Sequence, residues 1–523
     1  MIIESVEELS ASIVGNGRTI IIGGGTVGLY AAVELSKRGE QVLVIESGGT
    51  GLNSFDPATF ALAGLPHEGI RIGRSRSLGG TSNLWGGQLV EFQRMDFEGR
   101  EWLPHSKWPI RYDEIAPYYS RTYTNLGFSS NVQNDQSVFE KVFKNTPEFS
   151  EGVEMFLTRW LKIPNFAAAY AEEIQNSENL LVLLHHTVVG FDALGGKITA
   201  VRAVDSKRET HKIHGNRIVL ASGTIEICRL MLHAAATPGW ECPWGNNPNV
   251  GAYFQDHFVG RAATVHPVDK HRVFNTFCNF VSSGYKFQPK LRLTDEVLKS
   301  NPILNVQGTF CFESSISENL VFLKQFLKAA VYSKKVRGIA DLFRNLSACA
   351  KHLPPLMWKY VVENRIFVPS SSKISFGVQT EQSPLRESRI SIDSNVKDDF
   401  GLPKVILDWR NGDEELCSIR QFVIRCDKAL REAGLASLTI SKDLMDLNPS
   451  FLGELHDVYH HTGGTRIAET ESDGVVDRNL RVFGTENLYI IGASTFRTTS
   501  NANTTFLALT MTTRLVDHFV SKD

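Results

Sequence analysis

The chain lacks paired cysteines. Seven are scattered through 523 residues, at Cys228, Cys242, Cys278, Cys311, Cys349, Cys417 and Cys426, with no CxxC pair. An odd, dispersed set argues against a disulfide framework and reads as reduced thiols of the cytoplasm. His-rich metal spacing is missing too, so no zinc site, cysteine-held cluster or other metal site is expected. Excess charge of one sign is also absent: 55 Lys and Arg against 57 Asp and Glu leave −2, and nucleic acid is not an expected partner. No apolar stretch approaches the roughly 18–20 residues that span a bilayer. The first segment, MIIESVEELSASIVGNGR, has no basic region followed by an apolar run. No secretory leader is read there, and a cytoplasmic location is expected.

What is present is the balance of a globular enzyme, 42% hydrophobic and 21% charged, in a chain too long for one ordinary core. Residues 19–46 read as strand, turn, helix, strand: Thr19 to Ile22, then GGGTVG, then LYAAVELSKRG at helical spacing, then QVLVIE as a buried parallel strand. Runs at 180–191 and 197–204, joined through ALGG, predict a hairpin. RIVLASG at 217–223 predicts a strand followed by a helix to about 235. PGWECPWGNNPN near 240–250 reads as a loop that crosses between domains. Strands are expected across 259–312 and in KISFGVQ and SRISID, with helix between, from about 317 to 366. NLYIIGAS repeats the strand–loop–helix theme near the carboxyl end.

The first glycine loop carries chemistry. Gly23 permits a tight turn, Gly25 lets backbone approach a pyrophosphate, and Gly28 lets the helix pack on its strand. The helix start offers free N–H groups to phosphate. Glu46 closes the second strand, where a carboxylate accepts the hydroxyls of an adenosine ribose and repels a 2′-phosphate. A second small-residue loop, RSLGGTSNLWGG at 76–87, suits a cofactor longer than one βαβ unit can hold. Side chains at Gly79 and Gly80 would obstruct a flat ring there.

These motifs, in this order, resemble the glucose–methanol–choline (GMC) family of FAD oxidoreductases. The resemblance extends to NVGAYFQDH at 249–257, LLHHTVVGF at 183–191 and, loosely, SGTIEICRLML at 222–232. It is strongest in HTGGTRIA at 461–468, VVDRNLRVFGTENLYIIGAS at 475–494 and SNANTTFLALTMTTRLVD at 500–517, which look most similar to the pyranose 2-oxidase branch and related bacterial sugar oxidoreductases. It implies an α/β fold (α+β overall). A Rossmann-like FAD-binding domain would be assembled from residues 1–110, 166–258 and 455–523. A substrate domain of sheet and helices would comprise 111–165 and 259–454.

The resemblance further implies oxidation of an alcohol, a secondary hydroxyl of a sugar or glycoside, by hydride transfer to the flavin N5. His461 would be the general base, with His460 packing or hydrogen-bonding behind the site because neighbours on an extended segment face opposite ways. Asn503 would assist by orienting the hydroxyl, or serve as a helix N-cap, or both. Thr81, Ser82, Asn83, Val189 (at the adenine), Ser222, Gly492, Ala493, Thr504 and Thr505 join the cofactor-binding set. Thr504 stands where that branch has Pro. Leu84 stands where covalently flavinylated members carry His, so FAD is expected to be held noncovalently.

Partners would be the small-molecule substrate and an electron acceptor (oxygen, quinone or a redox protein). Open alternatives are a dehydrogenase of a simpler alcohol, a flavin-retaining lyase and an electron-transfer subunit. The basic, aromatic stretch 317–366 reads as a lid with solvated lysines in preference to a membrane-docking surface.

Overall fold

Four short strands rich in β-branched residues build the centre of the nucleotide half. Thr19–Ile22, Val42–Ile45, Leu180–Leu183 and Arg217–Leu220 are buried at nearly every position, as parallel strands covered on both faces must be. With Ile2–Ile3 and Leu488–Ile490 they form a six-stranded parallel sheet. Its order is Ile2–Ile3, Leu180–Leu183, Val42–Ile45, Thr19–Ile22, Arg217–Leu220, Leu488–Ile490. The computed structural model describes residues 1–8, 17–143, 145–313 and 353–521.

The run at 180–191 is not one strand. His185 adopts a positive φ of 59°, which breaks the run after Leu183. The first piece joins the parallel sheet. The second, Thr187–Leu194, forms the expected hairpin with Lys197–Val204, in a separate three-stranded sheet. Hydrophobic run length alone does not reveal such a break.

Helix Thr504–Val520 packs on helices Thr26–Ser36 and Tyr112–Asn125, and Tyr30 Oη lies 2.7 Å from Thr513 Oγ1. Covered on several sides, it buries threonines as well as leucines, the hydroxyls of Thr510, Thr512 and Thr513 bonding back to carbonyls four residues earlier.

The other half centres on an antiparallel sheet that includes, in order, Ala436–Ile440, Phe258–Pro267, Lys373–Thr380, Val306–Glu313, Tyr285–Leu293, Val153–Trp160 and Gln88–Leu89. Its strands alternate. Phe287, Leu291 and Leu293 turn to one face; Gln288, Lys290 and Arg292 turn to the other. Helix Glu414–Glu432 covers the apolar face with Leu416, Ile419, Phe422, Val423 and Cys426, Phe422 stacking on Phe376 at 6.2 Å.

Arg100 ties this sheet to the segment following Gln88–Leu89. Its guanidinium makes two bonds to the Glu381 carboxylate, at 2.7 and 2.5 Å, with both groups buried. Of the basic stretch 317–366, residues 317–352 lie outside the described residues, and a helix is described at Leu353–Val361. Among the described residues no helix is long and apolar enough to cross a membrane.

Candidate active site

The two glycine loops touch. Gly79 donates its backbone N–H to the Gly24 carbonyl at 2.8 Å, and a Cβ on Gly80 would sit 2.9 Å from the Gly25 Cα. Gly23 has φ +107°, with the Ser222 backbone where its side chain would be. A Cβ on Gly28 would lie 2.0 Å from the Gly23 carbonyl oxygen. Gly23, Gly28 and Gly80 are therefore sterically required. Helix Thr26–Ser36 begins at Gly25 with no side-chain cap, so its first N–H groups stay available to a ligand.

Glu46 accepts N–H bonds from Gly24 and Gly48, both at 2.8 Å. Burial pushes its pKa up, against the pull of those two bonds.

An elongated cavity runs from this carboxylate. It is lined at one end by Glu46, His186, Thr187 and Val188, passes Gly23, Gly25, Gly80, Thr81 and Ser222, and reaches Gly492, Ala493, Thr504, Thr505 and His461. At this end Val188 lines the cavity, next in sequence to Val189, the residue that the sequence placed at the adenine. Gly79, Ser82 and Asn83 shape the loop from behind, since Ser82 Oγ bonds the Gly79 carbonyl and the Asn83 amide bonds the Leu78 and Gly80 carbonyls. The sequence reading missed Arg74, Arg76, Tyr459 and Glu226, which also line the cavity, Arg74 pairing with Glu226 at 2.8 Å. The signal was there in the basic pair just before the second glycine loop.

A carboxylate, a run of side-chain-free backbone and an uncapped helix start, strung along one cavity, fit a dinucleotide. Two family models match the same regions. One described as "FAD dependent oxidoreductase" matches residues 18–238, and one described as "GMC oxidoreductase" matches residues 384–512. Over these stretches the chain is similar to GMC and other FAD-dependent oxidoreductases.

Among curated proteins, the chain is similar to the GMC oxidoreductase family protein Mala s 12 of Malassezia sympodialis (strain ATCC 42132) and to Mala s 12.0101 of Malassezia sympodialis. Each is 24% identical over 360 residues, covering 62% of this chain and 53% of the relative. The chain thus spans about half the length of the curated relatives it matches. Solved structures share its fold. A fungal aryl-alcohol oxidase has a TM-score of 0.56 at 16% identity, covering 97% of this chain and 99% of its own. Pyridoxine 4-oxidase from Mesorbium loti has 0.54 at 16% identity with the same coverages, and a formate oxidase 0.56 at 14%, covering 97% and 98%. FAD is the cofactor that the match over residues 18–238 supports.

The segment 455–466 carries the two neighbouring imidazoles. Thr462 exchanges two backbone bonds with Gln255, and Gly463 and Thr465 bond to the turn at Ala493 and Ser494. His461 lines the cavity, yet its Nε2 is buried with no partner among the described residues, behind Gly69, where a Cβ would stand 2.8 Å from that nitrogen. Beside it lies His67, ring centres 5.2 Å apart. His67 Nδ1 accepts the Ile70 N–H, so Nε2 carries the proton and donates to Asp256 at 3.1 Å. Burial works against the Asp256 charge, but the His67 hydrogen bond and the surrounding imidazoles outweigh it and hold its pKa below the usual carboxylate range.

His460 is not merely packing. Its N–H donates to Asp256, and its Nδ1 lies 3.0 Å from His257 Nδ1. The Ser500 carbonyl accepts from His257 Nε2 at 2.9 Å, which leaves His257 Nδ1 as an acceptor. His460 must then donate from Nδ1, and its Nε2 keeps a lone pair. Burial lowers both His460 and His461 to a pKa of about 3, aided by His257 for the first and His67 for the second. Both are neutral bases at pH 7.

Asn503 stands at the N-cap of Thr504–Val520 but makes no side-chain cap bond. Its Nδ2 reaches Gln88 Oε1 at 3.5 Å, while its Oδ1 is buried without a partner among the described residues. Leu84 is 45% exposed.

Proposed function

We propose that the chain oxidises an alcohol to a carbonyl, a secondary hydroxyl of a sugar or glycoside, with FAD held noncovalently. The observation that carries this is the pairing of a dinucleotide cavity with neutral, buried imidazoles at its carboxyl-terminal side. Bound FAD supplies the two-electron acceptor. Gly23, Gly25, Gly28 and Glu46 would hold its nucleotide half; Thr81, Ala493, Thr504 and Thr505 would lie along the rest. His461 takes the hydroxyl proton at Nε2, and Asn503 steadies the substrate oxygen through its amide. The motif position of His461, its place on the cavity and its unsatisfied nitrogen support that role. The family's pyranose 2-oxidase-like branch and a cytoplasmic location belong to the same proposal, as does oxygen, a quinone or a redox protein as final acceptor.

A second reading gives the proton to His460. It is favoured by the chain from the Ser500 carbonyl through His257, which fixes the His460 tautomer with Nε2 as acceptor. Anaerobic reduction of the flavin by a panel of sugars, glycosides and simpler alcohols tests the activity. A yellow holoenzyme that no alcohol bleaches would overturn it.

A further inference from the structure

The polar face of the large sheet has a buried cation that the proton transfer leaves unused. Gln88, Thr158, Gln288 and Thr309 form a hydrogen-bonded row across four strands: Gln88 Nε2 reaches Thr158 Oγ1 at 2.7 Å and Gln288 Oε1 at 3.3 Å, and Gln288 Nε2 reaches Thr309 Oγ1 at 3.1 Å. This face meets the catalytic turn at two points. Gln88 Oε1 accepts from Asn503, and Gln379 Nε2 donates to the Asn501 carbonyl at 2.8 Å.

Lys290 follows Gln288 by two residues on the same face and is 7% exposed. Its pKa is lowered to about 8 by burial, the Cys311 thiol being the other group that acts on it, and no carboxylate contributes. The ammonium is therefore charged at pH 7 and has no ion-pair partner among the described residues. The neighbouring cation is already spent, since Arg292 Nε bonds Glu154 at 2.7 Å. Opposite Arg292 in the register, Gln307 is 1% exposed, and neither atom of its amide has a hydrogen-bond partner among the described residues.

Burying an unpaired ammonium beside an unsatisfied amide is unfavourable unless a ligand completes both. A single fixed positive charge with neutral amide and hydroxyl neighbours matches one carboxylate; a phosphate dianion would require a second free cation. We propose that Lys290 is the anion-recognising group of the substrate site and that the substrate is a hydroxylated carboxylic acid, an acidic sugar in chemical class. This rests on the alcohol-oxidation reading. Lys290 binds the carboxylate, the row from Gln88 to Thr309 accommodates hydroxyls, and the hydroxyl to be oxidised is turned toward Asn503 and the imidazoles.

The test compares anaerobic flavin reduction of the holoenzyme by polyhydroxy acids (glucuronate, galacturonate and their aldonic counterparts) with reduction by their methyl esters and by neutral sugars. The acids should be preferred over their own esters, and Lys290→Met should lower that acid-to-ester ratio roughly 10- to 100-fold, while Lys290→Arg retains a preference. Because the ratio is taken within each variant, a general loss of folding or flavin cancels. Esters and neutral sugars that serve as well as acids, or a ratio unchanged in Lys290→Met, overturn the role of Lys290. Failure of every alcohol, acidic or neutral, to reduce the flavin overturns the alcohol-oxidation reading instead.

Discussion

His460 Nδ1 and His257 Nδ1 lie 3.0 Å apart, and only one of the two can carry the intervening proton. The Ser500 carbonyl decides which, because it claims the proton on the far side of His257. The loop that leads to Asn503 thereby sets the protonation pattern of the segment 460–461.

His461→Ala should keep the yellow colour and slow anaerobic flavin reduction by roughly 10²–10⁴-fold, the usual loss for a general base. His460→Ala should then cost much less. Reversal of that order gives the proton to His460. Normal reduction in both variants ends the imidazole mechanism. With either base held near pKa 3 by burial, the reduction rate should stay level from pH 8 to 5.5 and show no acid limb near 6.5.

Stability should fall as the solution is acidified. His257, His460 and His461 all have depressed pKa values in the fold, whereas an unfolded imidazole titrates near about 6.5. Below that value the unfolded chain binds more protons. The stabilisation is thus complete above about pH 6.5 and is lost as pH drops toward 3. Asp256, also depressed, adds a loss below the ordinary carboxylate range. Thermal melts at pH 7.5, 6.5, 5.5 and 4.5 should show a declining Tm; a level or rising series contradicts the burial of neutral imidazoles.

Gly28→Val and Gly80→Ala should purify without flavin. The first drives a side chain into the Gly23 carbonyl, the second into the Gly25 backbone at a residue with φ +50°. Absorbance at the flavin band relative to protein is the readout, and full occupancy in either variant would show that the loops give way.

The Rossmann strands and both glycine loops were legible because their requirements are local: β-branched burial, a turn that only glycine can make, and a carboxylate at a strand end. Lys290 and Gln307 were not, since each acquires meaning only when antiparallel register brings three strands and a remote turn together. The His185 turn went unseen because nothing in LLVLLHHTVVGF marks where one sheet ends and another begins. Alternation placed His460 behind the site, packing or hydrogen-bonding, but did not reveal that its partner there is His257.

Removing one partner of the Arg100–Glu381 pair should be strongly destabilising. Arg100→Ala strands a buried carboxylate that otherwise accepts two guanidinium bonds and the Asn305 N–H. A cost of about 3–5 kcal/mol is expected in denaturant titration of the holoenzyme. A loss below about 1 kcal/mol would mean that the carboxylate finds water.

Strand Leu488–Ile490 and helix Thr504–Val520 complete a sheet and a helical layer begun by residues 19–45. On the ribosome, several hundred codons separate the start of that nucleotide-binding half from the pieces that finish it. Nascent chains stalled before residue 488 should expose the flank of Arg217–Leu220 and the apolar side of Thr26–Ser36. Flavin should accordingly fail to load on such truncated chains and load only once residues 488–520 are in place.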